Sequence, residues 1–272
     1  MRIIDVWMQT GGTGPADHGA IFATLARWTR AGDDVPKNDE HYAIEKMDEG
    51  GVDIGLIAAW CGPQGFSITN EDVARCIETY PERFRGLASV NLYRPMEAVR
   101  DLRRWVTDHG FVGLRIVPWL WNLPPNDRRY YPLYAECVEL GVPFCTQVGH
   151  TGPLCPSEPG RPIPYLDEVL LEFPELKVIG GHVGFPWINE VISLATKYQN
   201  FHIDTSAYAL HRLPPEFAQF MRGRGNKKVM FGTNFGMLTA KRCLEGLSDL
   251  NLSDDATENF LGNNATRVFN LS

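Results

Sequence analysis

Short apolar runs alternate with longer segments of helical spacing along the whole chain. Eight runs are apolar and rich in residues that favour strands: 3–8, 52–60, 84–90, 112–117, 142–148, 176–180, 200–204 and 228–231. Helix-like segments lie between them, and this strand-then-helix order predicts parallel βα units. Eight such units in roughly 250 residues predict a closed (β/α)8 TIM barrel.

Local signals predict where individual helices begin and end. Asn70 is predicted to cap a helix over 71–80, because asparagine side chains accept hydrogen bonds from the first free backbone N–H groups. The last two helices are predicted over 239–247 and 253–269. No segment has the composition of a linker, so we expect residues 1–272 to form a single domain.

An open, doubly wound sheet is the alternative fold. Such a sheet commonly carries a glycine-rich dinucleotide turn after its first strand. Glycines follow the first apolar run here, but they lack the GxGxxG spacing, and residues 15–40 do not show the pattern of an immediate helix. The barrel is therefore the expected fold.

Composition and charge narrow the classes of function. The chain has 272 residues, of which 44% are hydrophobic and 22% charged, as is ordinary for a globular protein. The formal net charge is −7 and no Lys/Arg run occurs, which argues against nucleic acid as a partner. No apolar run approaches the roughly 20 residues of a membrane helix. The six scattered cysteines form no CxxC pair, which indicates reduced thiols and a cytoplasmic protein.

Polar and aromatic residues gather at one end of nearly every predicted strand. In a barrel of this kind the chemistry takes place at the carboxyl ends of the strands. The residues at or just after those ends include Trp7, Gln9, Trp60, Arg115, Trp119, Trp121, His150, His182, Asp204 and Asn234. Any one of them serves equally well as a simple cap of a strand or helix, but together they are typical of an active-site mouth.

Short motifs in a fixed order resemble those of a known family. They are IDV at 4–6, PERFRG at 81–86, GLR at 113–115, FPELKV at 173–178, GHVG at 181–184, FGTN at 231–234 and GNNATRVF at 262–269. On these motifs the chain resembles the amidohydrolase-related family over essentially its whole length. That family includes metal-dependent decarboxylases and hydrolases of small aromatic and unsaturated acids.

The resemblance implies a metal site from which this sequence departs. The family pattern has His-x-His after the first strand, one histidine after each of the fifth and sixth strands, and aspartate after the eighth. His150 and His182 match the fifth- and sixth-strand ligands, whereas Trp7 and Gln9 replace the His-x-His pair and Asn234 replaces the aspartate. An indole nitrogen only donates, and two histidines make a poor zinc site. We expect no metal, or a weakly bound divalent metal, most readily zinc, held by His150 and His182.

The function expected from the resemblance is hydrolysis or decarboxylation of a small aromatic or unsaturated compound that carries a carboxylate. His150, His182 and Asp204 are the candidates for proton transfer, since histidine titrates near neutral pH. Arg115, if it points into the barrel, suits a substrate carboxylate. The remaining candidates for substrate binding are Trp7, Gln9, Trp60, Trp119, Trp121 and Asn234.

Two other functions stay open on the sequence alone. In one, a metal is retained by His150 and His182 with a carbonyl oxygen of Gln9 or Asn234. In the other, the barrel has lost catalysis and binds a small molecule or a partner protein. The resemblance also implies a homodimer.

Overall fold

A computed structural model of the chain describes residues 2–15 and 39–271. Eight parallel strands lie side by side in the order β1-β2-β5-β6-β7-β8-β9-β10. Their bounds are β1 Ile4–Met8, β2 Ile54–Ala58, β5 Phe84–Ala88, β6 Gly113–Arg115, β7 Phe144–Gln147, β8 Val178–Gly181, β9 Phe201–Asp204 and β10 Val229–Met230. A small antiparallel hairpin, β3 Trp60–Gly62 with β4 Gly65–Ile68, follows β2.

The first and last strands of this sheet meet. The backbone N–H of Val6 donates to the carbonyl of Phe231 at 3.0 Å, and that of Asn234 donates to the carbonyl of Trp7 at 2.8 Å. These bonds join β1 to the segment that follows β10, and the strands curve into a barrel. The predicted (β/α)8 barrel is confirmed, and the open doubly wound alternative is wrong. That residues 1–272 form one domain stays a prediction.

Helices connect successive barrel strands. Their bounds are α1 Glu40–Glu49, α2 Asn70–Thr79, α3 Pro95–Thr107, α4 Pro118–Trp121, α5 Tyr131–Leu140, α6 Tyr165–Glu172, α7 Ile188–Lys197, α8 Pro215–Arg222, α9 Ala240–Cys243, α10 Asp254–Glu258 and α11 Asn264–Phe269. Short 3-10 turns cover Glu158–Gly160, Leu210–Arg212 and Ser248–Leu250. Among the described residues, no helix has both the length and the apolar character needed to cross a membrane.

The predicted cap of α2 is wrong by one residue. Thr69, not Asn70, is the N-cap: its hydroxyl accepts from the backbone N–H of Asp72 at 3.0 Å, and the Asp72 carboxylate accepts from the N–H of Thr69 at 2.9 Å. This reciprocal pair satisfies two free backbone donors at once. Asn70 is buried instead, and its side chain donates to the carbonyl of Ser89 at 2.9 Å.

The two C-terminal helices are shorter or less regular than predicted. The helix predicted over 239–247 ends at Cys243, and that over 253–269 is interrupted by a π-helical turn at Asn259–Asn263. The π turn leaves the carbonyl of Phe260 free to accept from the backbone N–H of Phe231 at 3.0 Å. It therefore ties the last helix to the end of β10.

The apolar core has two layers that position the site. One layer lies inside the barrel and includes Ile4, Val6, Leu56, Leu87, Ile179 and Met230; the larger one includes residues of the surrounding helices. Because inward and outward side chains alternate along each strand, the inner layer is closed by side chains and forms a floor. Polar side chains at the strand ends stand above that floor.

Candidate active site

The polar side chains at the strand ends form two levels. His150, His182, Gln9, Asn234 and Trp60 are half-buried, so they reach the rim of the barrel. Beneath them Trp7, Arg115 and Asp204 are no more than 1% exposed. A ligand entering the barrel therefore meets the upper level first, and touches the lower level only if upper side chains move.

Trp7 extends from β1 across the interior of the barrel. Its indole lies edge-on to the ring of His182 with 5.0 Å between centroids, and the guanidinium carbon of Arg115 lies 4.5 Å from the indole centroid. A Cβ atom on Gly181 would lie 2.5 Å from an indole carbon, so the glycine leaves room for the ring. Trp7 thus fills the space between the ends of β6 and β8.

Arg115 points inward from β6 and begins a chain of hydrogen bonds. Its Nη2 donates to the carbonyl of Met8 at 2.9 Å and to Gln9 Oε1 at 3.1 Å. Gln9 Nε2 then donates to Asn234 Oδ1 at 2.7 Å. A guanidinium only donates, so this order fixes which end of each amide is oxygen. We call Arg115, Gln9 and Asn234 the amide chain.

The charged guanidinium of Arg115 is buried and only partly hydrogen-bonded. Burial lowers the pKa of Arg115 to about 10, while Cys145, Asp204 and Asp5 act through space in the opposite direction. The guanidinium stays protonated at neutral pH. Its Nε and Nη1 atoms find no hydrogen-bond partner among residues 2–15 and 39–271. A substrate carboxylate would reach this buried cation only after Trp7 or Gln9 moved.

Asp204, Ser206 and His182 form a second connected group. The Asp204 carboxylate accepts from the backbone N–H of Ser206 at 2.9 Å, and the Ser206 hydroxyl lies 2.5 Å from His182 Nδ1. Burial raises the pKa of Asp204 to about 6, against hydrogen bonds from Ser206. Burial lowers the pKa of His182 to about 3, and the charges of Arg115 and His150 add to this. At neutral pH His182 is therefore a neutral imidazole beside a carboxylate poised near its titration range.

His150 stands at the rim beside an aromatic wall. Its backbone N–H donates to the carbonyl of Phe185 at 2.7 Å, and burial lowers its pKa. Its carbonyl accepts from Gln147 Nε2 at 3.1 Å, and Gln147 Oε1 accepts from the indole N–H of Trp119 at 2.6 Å. Trp60 contacts Trp119 edge-on at 5.8 Å. Gln147 thus links the backbone of His150 to Trp119, and Trp119 packs against Trp60.

Some site residues were not singled out from the sequence, and one proposed residue lies elsewhere. Ser206 and Gln147 link the chosen residues, and their only sequence signal is a polar side chain next to the end of a predicted strand. Asp5 is buried below Trp7, and burial raises its pKa to about 7 although it accepts from Thr233. Trp121 lies in the core outside the barrel, where its ring contacts Tyr93 at 5.1 Å.

The side chains within residues 2–15 and 39–271 do not fit a tightly bound divalent metal. Across residues 2–15 and 39–271, no three His, Cys, Asp or Glu side chains are placed to hold one ion. The amide oxygens of Gln9 and Asn234, the weak ligands that the sequence offers, already accept hydrogen bonds. The guanidinium of Arg115 adds a positive charge close to the same place, which disfavours a second cation.

Comparison with known proteins identifies the family of the chain. The family model described as amidohydrolase matches residues 38–271. The chain belongs to the amidohydrolase family. Its sequence is 36% identical over 88 residues to a gamma-resorcylate decarboxylase of Rhodococcus jostii, a match that covers 28% of this chain and 26% of that one. The chain spans between 26% and 55% of the length of the first curated relatives it matches.

Solved structures of this amidohydrolase fold cover the whole chain. An uncharacterised TIM-barrel protein from Bordetella bronchiseptica superposes with a TM-score of 0.86 at 26% identity, covering 100% of this chain and 99% of its own. A dihydroxybenzoic acid decarboxylase from Polaromonas sp. JS666, with manganese and the inhibitor 2-nitroresorcinol bound, superposes with a TM-score of 0.70 at 17% identity and covers 99% of this chain and 97% of its own. At 17% identity that likeness establishes the fold alone.

Proposed function

We propose that this amidohydrolase is a decarboxylase or hydrolase of a small aromatic or unsaturated carboxylate, working without a tightly bound metal. The observation that carries the proposal is the pair His150 and His182 at the rim, with Asp204 joined to His182 through Ser206. Titratable groups whose pKa values are displaced by burial are characteristic of functional sites. The gamma-resorcylate decarboxylase among its relatives supports an aromatic carboxylate as substrate.

The roles follow from the protonation states. Neutral His182 is able to accept a proton from a phenolic or enolic hydroxyl group of the substrate. Asp204 accepts from the backbone N–H of Ser206, whose hydroxyl contacts His182 Nδ1, and its negative charge favours the protonated form of His182. In decarboxylation a proton adds to the carbon that bears the carboxylate, and CO2 leaves as the C–C bond breaks. We assign delivery of that proton to His150, which, because burial lowers its pKa, first takes the proton up from solvent and therefore acts best below neutral pH.

The binding half of the site is set by the other rim residues. Trp60 at the rim, with the buried Trp119 packed edge-on against it, offers an aromatic surface to a ring or conjugated ligand. Gln9 and Asn234 offer amide groups at the same level. The six cysteines are free, which supports the cytoplasm as the compartment. A homodimer stays a prediction.

A substrate panel tests the proposal. Hydroxybenzoates and unsaturated carboxylates, 2,6-dihydroxybenzoate among them, are incubated with chelator-treated wild type, His150→Ala and His182→Ala, and CO2 release and product are followed. Removing a general acid or base costs typically about 10²–10⁴-fold in rate, so we expect a loss of that size in each variant. Unchanged turnover in both variants contradicts the assigned roles, and binding without turnover across the panel favours a non-catalytic barrel.

A further inference from the structure

The amide chain links the buried guanidinium of Arg115 to the rim of the barrel through two hydrogen bonds. Arg115 is buried, and no carboxylate of the described residues is hydrogen-bonded to it; Asp204 and Asp5 act on it only through space. A buried charge is costly unless polar groups compensate it. Its hydrogen bonds to the Met8 carbonyl and to Gln9 supply part of that compensation. The charge therefore polarises the amide that it contacts.

The donor-to-acceptor order of the hydrogen bonds in the amide chain determines which atom of Asn234 is available to a ligand. Because Arg115 only donates, Gln9 must accept through Oε1 and donate through Nε2, and Asn234 must accept through Oδ1. Asn234 Nδ2 is then the last donor of the chain. Among the described residues, its one hydrogen-bond contact is the sulfur of Met237 at 3.8 Å, a weak acceptor.

The backbone holds that last donor in place. Asn234 has φ of 64°, a left-handed conformation in which asparagine is tolerated better than most residues. Its backbone N–H donates to the Trp7 carbonyl at 2.8 Å. Asn234 is half-buried, whereas Arg115 below it is 1% exposed, so Asn234 is the member of this pair that a ligand at the rim meets first.

We propose that the amide chain forms a binding site for an anionic oxygen, with Asn234 Nδ2 as the contact and Arg115 as its buried source of charge. The ligand is a small carboxylate or phenolate; that this ligand is the substrate rests on the function proposed above. Arg115 is a positioning residue here, because Gln9 stands between it and the ligand. A divalent cation at this place would meet N–H donors where it needs oxygen or nitrogen lone pairs.

Benzoate is the probe, and its binding is measured by calorimetry on the full chain without metal. Asn234→Asp keeps the left-handed backbone and the acceptor for Gln9, but replaces the donor by a negative charge. Asn251→Asp is the matched control, since Asn251 has φ of 49° and is exposed. Hydrogen bonds involving charged groups contribute about 1.5–3 kcal/mol, and about 1.4 kcal/mol is tenfold in affinity. We expect at least tenfold weaker benzoate binding in Asn234→Asp and unchanged binding in Asn251→Asp.

A second variant interrupts the amide chain without removing Arg115. Gln9→Met keeps the length of the side chain but breaks the link between the guanidinium and Asn234. We expect a loss of benzoate affinity similar to that of Asn234→Asp, with the far-ultraviolet spectrum unchanged. Full affinity in either variant, or no benzoate binding to wild type at tens of millimolar, overturns the site. Benzoate binding that responds as expected, with no turnover on any substrate, sustains the site while the proposed function fails.

Discussion

The two halves of the barrel mouth differ in what they keep of the family pattern. Along β7 to β9, His150 and His182 match the histidines that the resemblance implies, and Ser206, held by Asp204, contacts His182. On the opposite half, Trp7 and Gln9 after β1 and Asn234 after β10 replace the implied ligands. The first half keeps titratable side chains at the rim, whereas in the described part of the second half an indole and two amides stand at the corresponding positions.

The difference shows how a barrel can lose metal ligands without leaving its centre empty. The Trp7 indole occupies the space inside the barrel. Arg115 supplies a fixed positive charge, and Gln9 connects it by hydrogen bonds to Asn234. An indole cannot bind a metal, but its face attracts a cation, and the guanidinium lies 4.5 Å from its centroid. The side chains of the substituted half are thus bonded to one another, and the proton transfers proposed above are assigned to the histidine half.

The largest expected effect comes from removing the buried charge. Arg115→Met removes the donor to the Met8 carbonyl and to Gln9 Oε1, and each buried acceptor left without a partner typically costs about 1–3 kcal/mol. We expect a loss of that order in the free energy of unfolding by urea denaturation. Arg161→Met is the control, because Arg161 is exposed and pairs with Glu190 at the surface, where pairs contribute about 0–1 kcal/mol. Equal stability of the two variants would show that the guanidinium is dispensable.

The pH dependence of the unfolding free energy tests the buried carboxyl group of Asp5 beneath the substituted half. Burial raises the pKa of Asp5 to about 7, above the value of about 3.9 in unfolded chains. The folded protein therefore binds the extra proton more tightly, so this contribution to stability is present below pH 4 and is lost as pH rises through 7. In Asp5→Asn that loss disappears, so we expect wild type to weaken relative to the variant by roughly 2–4 kcal/mol between pH 4 and pH 8.

The control for that measurement is the same substitution at the surface. Asp48 is exposed, and its carboxylate pairs with Arg83 at 2.8 Å. Unfolding free energies are measured at several pH values for wild type, Asp5→Asn and Asp48→Asn. A difference between wild type and Asp5→Asn that stays constant from pH 4 to pH 8 would show that Asp5 is ionised throughout.

A smaller effect is expected from the link inside the histidine half. Ser206→Ala removes the hydroxyl that contacts His182 Nδ1 but keeps the backbone N–H that donates to Asp204. We expect about a tenfold fall in kcat with KM nearly unchanged, as for one lost hydrogen bond near a charge. Thr205→Val is the matched control: Thr205 is fully buried, and its hydroxyl has no partner among the described residues. A fall in kcat of similar size in both variants would mean that packing, not the link, is responsible.

The smallest effect concerns the aromatic wall. Trp119→Phe removes the indole N–H that donates to Gln147 at 2.6 Å, and we expect a rise in KM equivalent to about 1 kcal/mol. Trp121→Phe removes an indole N–H that has no hydrogen-bond partner in the described part of the chain. We expect KM to stay within twofold of wild type there. A larger rise in KM for Trp121→Phe would place that ring, and not Trp119, at the substrate.

The fold was predictable because its signals are local and repeated. Each apolar run needs only its own β-rich composition, and eight of them leave few arrangements other than a barrel. The errors lie at helix ends, where tertiary bonds decide. Asn70 lost the N-cap to Thr69 because the Asp72 carboxylate completes a reciprocal pair, and the last helix bulges where Phe260 accepts from Phe231.

The site was predictable as a set of positions and not as a set of contacts. That His150, His182 and Asp204 stand at strand ends follows from the barrel. That Arg115 crosses the interior to Gln9, or that Ser206 joins Asp204 to His182, depends on side-chain directions and depths that the spacing does not encode. Asp5 was passed over because it precedes the end of its strand, although burial gives it a raised pKa.

The most direct test is the metal content of the wild-type protein. The chain is purified without chelator, incubated with zinc and in parallel with manganese, dialysed, and analysed for metal per chain. We expect well below one equivalent of either ion per chain. The amide chain occupies the half of the barrel mouth that would have to supply further metal ligands beside His150 and His182. One equivalent of zinc or manganese that survives dialysis would contradict this, and would return the chain to metal-dependent chemistry through His150 and His182.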